Sequence, residues 1–325
     1  MTTVTGTPTV AQVAAGVWRA QVPWGHGTVN CYLVVGGSGA VLIDTADPRA
    51  GRPDVTGDPG GHLVRLLAAA GVPAADVVAV VITHAHRDHL GHAVRLPDGL
   101  TGPILLHEAE FHTVDGVRSW LGLSAADFGG WLTGHGVPDP APIVAAFTPQ
   151  PEILPADLRR VTDGHVIDLG TRRLELVHVP GHTNGHVCVY DAGHRLLFSG
   201  DHVLPPGGGN AHVTIRPGSL ADPLGAYLAG LDRVAALAVD LVLPGHGDVH
   251  PDLAGLVERH RGRHAAKLAQ QRAVDEPGLD AYRLARRLRW SGRDLVELNE
   301  RLQFVVLGEV LARRVVRATA ASYDF

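Results

Sequence analysis

A chain of 325 residues, 45% of them apolar, is long enough to bury one large core and to carry a smaller unit beside it. A net charge of −5 excludes a general attraction to nucleic acid or to an acidic membrane surface, so any such binding needs a local patch. No apolar run reaches the roughly 18 residues of a membrane span, and the start Met1-Thr2-Thr3-Val4 lacks the basic and apolar regions of a signal peptide, so the expected address is cytoplasmic.

From Val17 to Thr45, three apolar segments separated by Gly-rich turns predict successive strands of an antiparallel meander. Cys31 lies in this region and Cys188 in a later strand-like segment, and both read as small core residues rather than a disulfide or a metal pair. Asp44 stands at a strand end, where a carboxylate can brace a neighbouring loop or cap a turn. Helical spacing with a Gly stop predicts a helix over Gly61–Gly71, leading into the β-branched run Val77–Ile82, a buried strand.

That strand delivers Thr83-His84-Ala85-His86-Arg87-Asp88-His89. Imidazoles at i and i+2 cannot share a helical face, but on a loop they can close on one ion while Asp88 and His89 reach another. The spacing therefore points to a two-metal site. A helix over Gly91–Leu96 is expected next, then a buried strand at Pro103–His107. Glu108, Glu110 and His112 after it read as solvated or bracing groups rather than ligands.

Between about Asp115 and Pro155 the periodicity fades, and Trp120, Leu121, Phe128, Trp131, Leu132 and Phe147 appear among Gly and Pro. Such a stretch reads as a lid or pocket wall, or as a satellite apolar cluster. Strand signals return at residues 165–169, 173–179, 187–190, 195–199 and 241–244, with Pro180–His186, Gly200-Asp201-His202 and Gly245-His246-Gly247 at their ends. Two runs of strands with helices alongside predict an α/β (α+β) fold: a four-layer sandwich of two face-packed mixed β-sheets flanked by helices, with the site at one edge.

The His84–His89 cluster, Pro180–His186, Ser199-Gly200-Asp201-His202 and Pro244–Gly247 resemble, in order and spacing, the metallo-β-lactamase-fold metallohydrolase superfamily, over roughly Val17 to Asp252. The resemblance implies one metal held by His84, His86 and His182, a second held by Asp88, His89 and His246, and Asp201 bridging them. Neutral imidazoles with few carboxylates favour two Zn²⁺, with Fe or Mn as the alternative. A water between two such cations is deprotonated near neutral pH, which makes hydrolysis the natural chemistry, with Asp88 and Asp201 as the catalytic carboxylates. His186, His202 and His212 are candidates for supporting the ligands or protonating a leaving group.

Gly200–Pro205 and Asp222–Leu228 look like the glyoxalase II-like and lactonase-like branch, which implies an ester, thioester or lactone of a small acyl substrate. The second position of the motif is His86 rather than the Glu of the flavodiiron branch, which disfavours redox di-iron chemistry. For an anionic carrier the nearest cation is Arg216, since Lys267 is the chain's only lysine.

From Leu253 the composition turns to Arg, Ala and Leu in amphipathic segments broken at Pro277-Gly278 and Ser291-Gly292. Residues 253–325 are therefore expected to form a helical domain beside a catalytic domain of residues 1–252, and they resemble the winged-helix-like tail of some single-chain superfamily members. Acidic residues interleave with its arginines, which reads as a solvated or inter-subunit face, with the tail over the rim of the site or at a homodimer interface. The expected partner is a small acyl substrate, not nucleic acid or membrane. The competing readings are a nuclease or phosphodiesterase, a mononuclear iron persulfide-type dioxygenase, and a non-catalytic metal-stabilised binding module.

Overall fold

The antiparallel meander comprises β1 (Thr9–Ala14), β2 (Val17–Trp24), β3 (Gly27–Gly36) and β4 (Gly39–Ile43). β3 buries six successive residues, Val29 to Val34, because both of its faces are covered, so it reads as a continuous apolar run. The parallel strands β5 (Val77–Val81), β6 (Ile104–His107) and β7 (Leu158–Val161) extend the same sheet in the order β1-β2-β3-β4-β5-β6-β7. The second sheet runs β12-β11-β10-β9-β8, built from β8 (Val166–Asp168), β9 (Arg173–His178), β10 (Val187–Asp191), β11 (Leu196–Gly200) and β12 (Leu241–Pro244). Only β11 and β12 in it pair in parallel. The computed structural model describes residues 7–24, 27–47, 61–111, 125–146, 158–290 and 292–315; His112, Trp120, Leu121 and Phe147 lie outside them.

The sheets pack face to face through Tyr32, Val34, Val41 and Ile43 on one side and Leu174, Leu176, Val189 and Phe198 on the other. Outside the first sheet, the helix Gly61–Ala70 buries Leu63, Leu66 and Leu67, the i, i+3, i+4 stripe expected of it. Outside the second, the helices Pro223–Ala235 and Leu253–Arg272 bury Leu224, Tyr227, Leu231, Leu256 and Val257. The expected four-layer sandwich is the observed one.

The helix expected at Gly91–Leu96 lies instead at Arg87–Leu90, inside the His motif, and turns follow it. It stops because the His92 amide leaves the helical ladder to donate to the Ala46 carbonyl, 3.0 Å away. In the segment of fading periodicity, Ala125–Gly134 and Ala141–Ala146 are helical. They bury Phe128, Leu132 and Ile143 against Leu284, Phe304, Leu307 and Val310 of the helices Ala281–Arg287 and Glu300–Val315. This part of the segment is therefore a wall packed against the end of the chain. Among the described residues of 253–315 the regular elements are helices only.

One buried ion pair ties the two sheets at the end opposite the His motif. Arg172, in the turn before β9, sends Nη1 to Asp191 Oδ2 at 2.7 Å and a second N–H to the Ala15 carbonyl between β1 and β2. Both side chains are almost wholly buried, so removing the cation leaves the Asp191 carboxylate in the interior with only His194 to hold it. Arg172→Met is expected to lower unfolding free energy by about 3 kcal/mol, read as a fall in the urea midpoint. An unchanged midpoint would mean that the pair contributes nothing net.

Candidate metal centre

β5 ends at Val81, and the chain carries His84 and His86 on an extended loop before Asp88 and His89 enter the Arg87–Leu90 helix. The loop's shape is set from β4. Asp44 accepts from the Thr83 amide through Oδ1 and from the Thr83 hydroxyl through Oδ2, both at 2.8 Å, and from His89 Nδ1 at 2.7 Å. Because the Thr83 hydroxyl gives its proton to Asp44, its oxygen accepts from His84 Nδ1 at 3.1 Å. That bond leaves the His84 Nε2 lone pair facing the site.

His182 arrives on the turn between β9 and β10, Asp201 directly after β11, and His246 shortly after β12. His84 Nε2 lies 3.0 Å from His86 Nδ1, which lies 3.1 Å from His182 Nε2. Asp88 Oδ2 lies 3.1 Å from His246 Nε2 and 3.8 Å from His89 Nε2. Asp201 stands between the two groups: Oδ1 is 3.4 Å from His89 Nε2 and 3.5 Å from His246 Nε2, and Oδ2 is 3.6 Å from His182 Nε2. A Cβ on Gly245 would fall 2.6 Å from Asp201 Oδ1, so this approach requires glycine. The seven residues His84, His86, Asp88, His89, His182, Asp201 and His246 thus converge in overlapping sets able to hold a metal.

The residues fit a divalent cation. His89 Nε2 and Asp201 Oδ1 are buried with no hydrogen-bond partner among the described residues, at the point where the sets meet. Imidazole nitrogens 3.0 and 3.1 Å apart are close to the ~3.3 Å edge of a tetrahedron with Zn–N bonds of ~2.0–2.1 Å. The far nitrogens of the rings are bonded away from the centre, His182 Nδ1 to the His212 carbonyl at 2.8 Å and His246 Nδ1 to the Thr28 carbonyl at 2.7 Å.

The two sets differ in charge. Burial, followed by the neighbouring rings, holds His84 and His86 well below the usual imidazole range, and burial takes His182 down to about 4. Burial also opposes the charged form of His89 and His246, but there the carboxylates prevail. Asp44, Asp201 and Asp88 hold His89 well above the usual range, while Asp201 and Asp88 carry His246 up to about 10.

Other residues singled out in the sequence hold rather than form the centre. His186 Nε2 accepts from the Asp201 amide at 3.0 Å, and His202 is set against Tyr227, ring centroids 4.7 Å apart. Glu110, fully buried, accepts from the Ala85 amide at 3.0 Å and the Gly185 amide at 2.7 Å, which fastens the His84–His86 loop to the His182 turn. Glu108 is exposed. Sequence reasoning passed over Asn30 and Tyr32. The Asn30 amide donates to the carbonyls of Pro244 and Gly247, each at 2.8 Å, and the Tyr32 hydroxyl donates to Pro244 at 2.7 Å, which together fix the His246 loop. The visible signal was an Asn inside an otherwise apolar strand.

Glu110→Gln tests the fastening without touching a ligand. Its amide must turn an N–H toward one of two backbone N–H donors, so a loss of about 2 kcal/mol in urea unfolding is expected. A loss under about 0.5 kcal/mol would show that the loops hold each other without it.

Residues 24–246 match the family profile described as the metallo-β-lactamase superfamily. Bovine acyl-coenzyme A thioesterase MBLAC2 is 29% identical over 220 residues, 67% of this chain and 72% of that protein. The atrochrysone carboxyl ACP thioesterase AgnL7 of Paecilomyces divaricatus is 33% identical over 99 residues, 30% of this chain and 28% of that one. A metallo-β-lactamase family protein from Thermus thermophilus superposes with a TM-score of 0.69 at 26% identity, covering 96% of this chain and 95% of its own. The profile runs from the end of β2 to His246 and so takes in β3 to β12 and all seven converging side chains, which makes the chain a member of the metallo-β-lactamase superfamily and one of its hydrolases.

Proposed function

We propose that this chain is a dinuclear zinc hydrolase of small acyl thioesters, with esters and lactones as the related substrates of the same chemistry. The observation that carries the reading is Asp201, whose two oxygens face the two ligand sets separately. His84, His86 and His182 would hold one cation, Asp88, His89 and His246 the other, and Asp201 both. When bound, the metals supply Lewis acidity toward a carbonyl oxygen and a water of lowered pKa.

The protein's own part is placement. Asp88, buried beside His246, offers the carboxylate that orients the attacking water by hydrogen bonding. Arg216, partly buried and close enough to His86 to disfavour its protonated form, is the cation that an anionic carrier would meet. The thioesterase relatives support the acyl thioester among the substrates open to such a site.

The assembled second set speaks against a mononuclear iron dioxygenase, and Zn²⁺ suits the imidazole-rich donors better than Fe or Mn. A nuclease reading needs free cations, yet on the C-terminal helices Arg261 pairs with Asp232, Arg283 with Asp280, Arg286 with Asp294, Arg287 with Glu276 and Arg314 with Asp275. The deciding experiment is a panel of short-chain acyl-CoA thioester, aryl ester, lactone and phosphodiester offered to the zinc-loaded protein. Thioester turnover that falls more than about 100-fold in Asp201→Asn is expected, beyond the 10–100-fold typical of residues behind the ligands. Phosphodiester turnover with an inert thioester would overturn the reading.

Proton competition gives a second expectation. At pH 6 the rings of His84, His86 and His182 are already neutral, so a cation displaces no proton there, whereas His89 and His246 hold theirs and must release them. Calorimetric zinc titration at pH 6 and pH 8 should show one equivalent nearly insensitive to pH and one binding at least about tenfold more tightly at the higher pH. Equal pH dependence of both equivalents would contradict the two-set assignment.

A further inference from the structure

The ligand rings are held from behind by unequal supports. His84 and His89 rest on Asp44 at the end of β4, directly or through Thr83, and His246 rests on the Thr28 carbonyl in β3. His182 rests on the carbonyl of His212, which lies in a stretch without regular structure between β11 and the Pro223–Ala235 helix. A carbonyl on an irregular segment orients a ring only as well as the segment is itself held.

What holds it is the last helix. His212 Nδ1 donates to Glu309 Oε1 at 3.1 Å across 97 residues of sequence, and Glu309 Oε2 accepts from Lys267 Nζ at 2.5 Å on the Leu253–Arg272 helix. The Ile215 amide donates to the Gly308 carbonyl at 2.9 Å. The backbones approach so closely that a Cβ on Gly308 would fall 2.8 Å from Thr214 Cβ. Glu309 itself is 2% exposed. Burial alone would neutralise such a carboxylate, but His212, Lys267 and Arg313 hold it well below the usual range, so it is a fixed charge at the centre of a fixed network.

We propose that Glu309 is a positioning residue of the metal centre: it fixes His212, whose carbonyl orients the His182 ring toward the His84–His86–His182 set. The C-terminal helices then complete the centre instead of standing as a separate appendage. This rests on the reading that the set holds a cation. A merely structural Glu309 would stabilise helix packing and leave metal retention unchanged.

The test measures how fast a chelator strips metal from the zinc- or cobalt-loaded full chain, together with the cobalt absorption spectrum and the urea midpoint. Glu309→Ala and His212→Ala are each expected to speed release of one equivalent about tenfold and to alter the cobalt spectrum, with the double variant no worse than either single. Glu309→Gln, which keeps an acceptor for His212, should restore most of the retention. Arg314→Ala, which breaks a bidentate pair with Asp275 elsewhere on the same helix, should lower the urea midpoint and leave release unchanged. His212 is 41% exposed at its side chain, so His212→Ala remains a folded test even where Glu309→Ala is not. Unchanged release and spectrum in His212→Ala, or additive effects in the double variant, would overturn the inference alone. A wild-type chain that takes up no cation would overturn the metal-centre reading and the inference together.

Discussion

At the end of β4 the backbone of Asp44 turns into the left-handed region, φ 58°, and its carboxylate thereby faces the loop that leaves β5. A residue other than glycine in that conformation costs on the order of 1 kcal/mol, which three hydrogen bonds to Thr83 and His89 offset. The consequence reaches both groups of converging side chains. Through the Thr83 hydroxyl, Asp44 fixes the proton of His84 on Nδ1, and directly it fixes that of His89 on Nδ1. One carboxylate from the meander thus decides which nitrogen each ring turns inward, and the parallel pairing of β4 with β5 sets the spacing that lets it do so.

From that constraint follows an asymmetry. His182 and His246 rest on neutral carbonyls and His84 on a hydroxyl, but His89 rests on a charge. With Asp88 and Asp201 added, the second set has the carboxylates and holds protons that the first set, packed ring against ring, does not. Asp201 is shared, so its own carboxyl is depressed: burial opposes ionisation, and His246 and His89 overcome it. The shared carboxylate thus stands between two groups of side chains that carry different proton loads.

The strands that lead into the converging side chains were legible in the sequence because each is a short, β-branched or aliphatic run that stops at a polar residue, as Val77–Ile82 stops before Thr83. β1 and β7 were not. β1 is a mostly exposed edge and β7 contains Arg159 and Arg160, so neither shows a buried run. The Pro223–Ala235 helix passed as a motif only, although Asp222 caps it and Pro223 opens it in the usual N-terminal pattern. The side chains that converge were legible by type and spacing. Their supports were not, because the reach of Glu110 to Gly185, Asn30 to Pro244 and His212 to Glu309 exists only after distant segments meet.

The last of these contacts changes how the end of the chain is understood. Its helices are amphipathic and rich in arginine, which by itself describes a surface domain. Folded, they close one apolar cluster with Phe128, Leu132 and Ile143 from the middle of the chain and insert Glu309 behind His212. The wall on the His86 and His182 side therefore belongs to three separated stretches that stabilise one another. Asp44 and Asn30 support the converging side chains from the first sheet and Glu110 from the turn after β6, whereas His182 is supported through this wall. Ala211–Arg216 is the segment where this wall meets the side chains that converge at the site.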